Sequence, residues 1–146
     1  MRIILTSLVL FLSACSTSPW ASDEVGHEAK IYSPNPTKAK LYIYRDQALY
    51  VLNAYSVFID GTFLTQLPVR SYYVSEVDPG KHTVGVNKDR IDDVELTTEA
   101  GKIYFLQQSA EIGLIRGKPK ISLRDSENGK AGVSACKLMS TKALHE

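Results

Sequence analysis

From residue 39 onward, short runs of β-branched and aromatic residues are broken by turn signals roughly every ten residues. The runs occupy residues 39–44, 55–59, 62–67, 71–77, 82–87, 94–98, 102–110 and 119–123. Each reads as a strand whose successive side chains face opposite ways. Asp60-Gly61 suits a two-residue type I′ hairpin, because both central positions need positive φ. Asp78-Pro79-Gly80, Glu99-Ala100-Gly101 and Gly117-Lys118-Pro119 punctuate the later runs. With no long helical period between the runs, the expected fold is all-β: a small antiparallel β-sandwich of about 7–8 strands with hairpin or Greek-key connections. Val57 then shares a face with Ile59, Val84 with Val86, and Ile103, Phe105 and Gln107 lie opposite Tyr104 and Leu106. Residues 125–140 are ambiguous. Asp125 or Ser126 suits a helix cap and would set Ala135, Cys136, Leu138 and Met139 on one side, whereas Gly129 and Gly132 disfavour the first half. The expectation is a short C-terminal helix.

The first residues follow a different pattern. Met1 and Arg2 precede an apolar stretch over residues 3–12, interrupted only by Thr6 and Ser7. About ten apolar residues cannot span a bilayer core, which needs about 20, so the segment reads as a secretory signal. Leu12-Ser13-Ala14-Cys15 resembles the lipobox of bacterial lipoproteins. A thiol at that position can become a diacylglyceryl thioether, and cleavage between Ala14 and Cys15 frees an amine for a third chain such as palmitate. Several acyl chains hold firmly where one does not. The competing reading is a plain signal peptide, cleaved near Ala21, with an incidental cysteine. By the same resemblance, Ser16 in place of an aspartate points to onward transport to the periplasmic face of a Gram-negative outer membrane.

Residues 16–37 contain three of the chain's six prolines, several Ser and Thr, and no apolar period. They read as a flexible tether with an r.m.s. reach of roughly 26 Å. Trp20 within it suits either the membrane interface or simple exposure. The organisation expected is therefore a signal peptide over 1–14, lipidated Cys15 with a tether to 37, and a sandwich domain over 38–146. Acylation of Cys15 leaves Cys136 as the second and last cysteine. It is read as a buried apolar residue, the alternative being a disulfide between chains.

Lys and Arg number 17 against 16 Asp and Glu, and cleavage removes Arg2, so no global field draws the mature chain to nucleic acid. Asp89, Asp92, Asp93, Glu95 and Glu99 form an acidic stretch, and Arg116, Lys118, Lys120 and Arg124 a basic one; both read as solvated faces and loops.

No H-E-x-x-H, C-x-x-C, G-x-S-x-G or phosphate-cradling loop is present. His27, His82 and His145 are far apart. His82 with Asp92 or Asp93 and a serine forms a triad only on paper. Asp89, Asp92, Asp93 and Glu95 would suit a hard cation but lack the glycine and spacing of an EF-hand loop. The expectation is therefore no catalytic residue, no metal and no cofactor. The excess of tyrosine is the one oddity, with Tyr42, Tyr44, Tyr50, Tyr55, Tyr72, Tyr73 and Tyr104 in the domain. Leu41 and Ile43 point to one side of the first strand, Tyr42 and Tyr44 to the other. One face is core. The other is either an exposed aromatic strip for a glycan, peptide or partner domain, with Tyr42, Tyr44 and Arg45 as binding residues, or a face covered by residues 45–55 or the C-terminal segment.

The segments LYIYR at 41–45, VFIDG at 57–61, SYYVSEVDPGKHTV at 71–84 and AGKIYFLQ at 100–107 together resemble the DUF2846 family of small bacterial lipoprotein domains. The middle portion also resembles the PEGA-type surface β-domain. The resemblance implies a β-sandwich on a lipid anchor, and it supplies no catalytic residues because the family has no established activity. The function expected is that of an envelope lipoprotein acting as a binding or scaffolding module for a protein or cell-envelope partner. A cell-wall hydrolase would instead show convergent His and carboxylate groups in a cleft. A structural lipoprotein that oligomerises would show a long unprotected edge strand.

Overall fold

The computed structural model describes residues 19–48, 54–86, 93–111 and 117–140. Nine strands form two sheets: β1 (Ala39–Arg45), β2 (Tyr55–Ile59), β3 (Thr62–Leu67), β4 (Ser71–Val77), β5 (Gly80–Gly85), β6 (Val94–Thr98), β7 (Ile103–Glu111), β8 (Lys118–Arg124) and β9 (Lys137–Leu138). One sheet runs β8-β7-β1-β4-β9 and the other β3-β2-β5-β6. The second is antiparallel throughout, whereas the first contains two parallel pairings, β1 with β7 and β4 with β9. The fold is thus a β-sandwich, with a mixed sheet where an antiparallel one was expected.

The β2–β3 hairpin turns at Asp60 and Gly61, whose φ values of 51° and 79° are those of a type I′ turn. Between the sheets, Leu41, Ile43 and Leu106 meet Val57, Leu67 and Val84, all fully buried. This is the core that the alternation pattern anticipates.

A second core lies on the outer face of the mixed sheet. Helix α2 (Ser126–Ser134) covers it from the C-terminal side. Asp125 caps α2 by accepting a hydrogen bond from the Asn128 backbone N–H at 2.9 Å. The two glycines that disfavour this helix on propensity are what let it dock. A Cβ at Gly129 would overlap the Phe105 ring, and one at Gly132 would overlap the Tyr44 ring. Ala135, Cys136, Leu138 and Met139, expected on one side of the helix, instead follow its last turn, and Lys137–Leu138 pair as β9 beside β4.

Residues 19–37 do not behave as a free tether. Ser22 caps a short helix, α1 (Asp23–Ala29), whose first turn carries Asp23 and Glu24, charges that suit the positive helix end. Ahead of it, Trp20 bridges Met139, the Ala21 N–H donates to Leu138 O at 3.0 Å, and the Ser140 N–H donates to Pro19 O at 2.8 Å. This antiparallel lacing covers the β9 edge. Behind it, the Asn35 side chain accepts from the Thr37 and Lys38 N–H groups and donates to Glu76 at 2.9 Å. Proline content hid these local bonds, because none depends on a hydrophobic period.

Candidate functional site

Sheet register brings Tyr42, Tyr44, Tyr72, Val74, Phe105 and Gln107 onto the outer face of the mixed sheet. Tyr44 lies opposite Tyr72 on one side and Gln107 on the other, while Tyr42 lies between Val74 and Phe105. An exposed aromatic strip does not result. Tyr42 and Tyr44 are each 1% exposed, because α1 and α2 lie over them. The hydroxyl of Tyr42 donates to Ala29 O at 2.7 Å and that of Tyr72 to Gly26 O at 3.0 Å, latching α1 onto the sheet. Tyr32, with φ of 57°, packs between the helices against Tyr42 and Phe105, and Lys130 of α2 lies over its ring. Burial, then the nearby Tyr32 and Glu76, push the Tyr42 phenol up to about 12.

Arg45 is not on this face. Alternation places it with Leu41 and Ile43, between the sheets, where it is 1% exposed. Its guanidinium donates to Leu67 O at 3.2 Å and lies 4.7 Å from the Tyr55 ring centroid. Its charge serves packing, so Tyr42, Tyr44 and Arg45 do not form a surface binding strip.

Among the recesses that the cover leaves between the described residues, two of equal volume differ in character. An apolar one of about 480 Å³ opens beside the lacing and is lined by Trp20, Val25, Ala29, Tyr42, Val74 and Met139. Lys40 stands at its margin, 3.6 Å from Glu76. A polar one of about 480 Å³ lies on the other side, between α2 and the sheet, with Tyr44, Asp46, Gln107, Arg124 and Asn128 in its walls. There Gln107 Nε2 donates to Asp46 at 2.7 Å, and Arg124 Nε donates to Gln107 Oε1 at 2.8 Å. Burial raises the Tyr44 phenol to about 12, and Asp46 adds to the rise, so Tyr44 presents a neutral hydroxyl. The one sequence signal for this recess is Gln107, a polar residue at the same parity as Phe105 in an otherwise apolar strand.

His82 and the carboxylates do not converge as a triad. His82 Nδ1 contacts Asp60 Oδ2 at 2.7 Å and Nε2 contacts Asp78 O at 2.8 Å, so the ring clamps two turns together. Asp93 lies against Gly85 instead. Asp89 and Asp92 fall outside the described residues, among which no three His, Cys, Asp or Glu side chains are grouped to hold a metal. Cys136 is buried, with Sγ 3.5 Å from Arg45 O, and burial pushes its thiol up to about 12, which leaves it unreactive. Ala14 and Cys15 also lie outside the described residues.

The hydrogen bond to Asp60, then that to the Asp78 carbonyl, raises the His82 pKa above 6.5 against the opposing effect of burial. A raised folded-state pKa means that the charged ring stabilises the fold. That contribution is full below the unfolded value and is lost as pH rises through the folded one. The stability gap between wild type and His82→Gln should therefore narrow from about pH 6 upward, as read by thermal melts at constant ionic strength. A gap constant over that range would show that the clamp holds without charge.

Most of the sandwich, but neither covering helix, lies within a segment that matches a known family. Residues 35–119 match "Protein of unknown function (DUF2846)", and the chain belongs to that family. It is 30% identical over 135 residues to an uncharacterized protein of Haemophilus influenzae, covering 91% of this chain and 80% of that one. No solved structure matches.

Proposed function

We propose that this protein is a bacterial envelope lipoprotein, anchored through acylated Cys15, whose folded domain is a non-enzymatic binding module facing the periplasm. The outer membrane is its proposed site. The observation that supports this most is the lacing of residues 19–21 to 138–140. Cleavage near Ala21 would remove Pro19 and Trp20 from the fold, whereas cleavage before Cys15 keeps them and leaves only a few residues between lipid and domain. The binding role is supported by the two recesses, and the absence of an enzymatic role by His82, whose ring nitrogens are both engaged in a turn clamp.

The test is mass spectrometry of the mature N-terminus from a Gram-negative host, with membrane fractionation of wild type and Cys15→Ser. Wild type should yield a triacylated Cys15 peptide in the membrane fraction, and the variant should be unacylated and uncleaved at Ala14. An unmodified N-terminus, or one beginning near Ser22, would defeat the proposal.

A further inference from the structure

We infer that the polar recess beside α2 binds a zwitterionic ligand, an amino acid or short peptide that offers both a carboxylate and an ammonium group. The inference rests on the binding-module reading and adds a ligand class to it. Asp46 follows β1 and Arg124 ends β8, so residues far apart in sequence are brought to one opening by the β1–β7–β8 order. They do not pair with each other. Gln107, only 8% exposed, stands between them, donating to Asp46 and accepting from Arg124.

A purely structural charge pair would gain more from direct contact, because guanidinium and carboxylate match as a two-bond fork. The interposed amide keeps the pair apart and spends one donor of Arg124 and one oxygen of Asp46. A guanidinium has five N–H donors and a carboxylate about four acceptor positions, so both keep most of their capacity. Among the described residues no other side-chain bond or ion pair engages Asp46 or Arg124.

Ala131 and Gly132 of α2, with Ala135 just after it, line one wall of the recess with little or no side chain. Tyr44 contributes the neutral phenol in the floor. Asp125, the other nearby carboxylate, is occupied by both the backbone and side-chain nitrogens of Asn128. The recess therefore offers one fixed cation and one fixed anion, held at a set spacing. A ligand carboxylate meets Arg124 and its ammonium meets Asp46.

The test is titration of the full mature chain with L-alanyl-L-alanine, its N-acetyl form and its C-terminal amide. Calorimetry would be combined with NMR of the Gln107 side-chain amide. The free dipeptide should bind and shift the Gln107 NH₂ signals, and blocking either end should weaken binding about tenfold or more. Arg124→Gln and Asp46→Asn should each reproduce the loss with unchanged melting temperature, and Arg124→Lys should fall between. If Asp46→Asn lowers stability, the exposed Arg124 variants decide the matter. No binding of the free dipeptide at about 10 mM overturns the inference, as does equal binding of the three ligands or an Arg124→Gln protein that binds like wild type. Such a result with Cys15 acylated would leave the anchored-module proposal standing.

Discussion

Tyr42→Ala should lower the stability of the domain by about 3–5 kcal/mol, the range for removing a large aromatic side chain from a core. Tyr42 stacks on Phe105 and Tyr72 at centroid distances of 5.4 and 6.3 Å, packs against Tyr32 at 5.2 Å, and is 1% exposed. Truncation opens a cavity under both helices. Tyr42→Phe isolates the hydroxyl and should cost only about 0.5–1.5 kcal/mol, spent locally on the latch to Ala29. Urea denaturation of both variants, with hydrogen exchange over residues 23–29, separates the two effects. A Tyr42→Ala protein within about 1 kcal/mol of wild type would mean that the helical cover is not a second core.

Gly132→Ala sets two magnitudes against each other. Helix propensity alone favours alanine by about 1 kcal/mol at an interior position. The new methyl would overlap the ring of Tyr44, which is 1% exposed, and overpacking costs about 1–3 kcal/mol, occasionally more. Net destabilisation is expected, the same sign holds for Gly129→Ala against Phe105, and both should loosen α2. A rise in melting temperature in either variant would show that α2 can ride higher on the sheet than the structure has it.

Much of the sandwich could be read from the chain because its signals are local. β2, β3, β4 and β6 begin and end where the runs do, and Asp60-Gly61 adopts the turn its chemistry favours. What escaped depends on distant partners. Gly129 and Gly132 count against a helix until Phe105 and Tyr44 are known to lie beneath it. β9 has two residues, too few for any period, and exists because β4 offers an edge. α1 is held by hydroxyls of Tyr42 and Tyr72 from the sheet, so a proline-rich composition said nothing of it. The tyrosine excess was visible, but its two explanations, surface strip or second core, differ only in what covers it. The polar recess was the least legible part: Gln107 stood out by parity, yet Asp46 and Arg124 become its neighbours only through the sheet order.

The lacing of residues 19–21 also sets a length. A free segment through residue 37 would let the domain range some 26 Å from its lipid. With folding under way at Pro19, four peptide steps separate it from Cys15, at most about 14 Å when fully stretched. On the proposed anchoring, the body becomes a fixture of the bilayer surface, unable to search the depth of the periplasm and limited in how far it can tilt. Its encounters are then confined to a thin shell, and whatever it binds must come to the membrane.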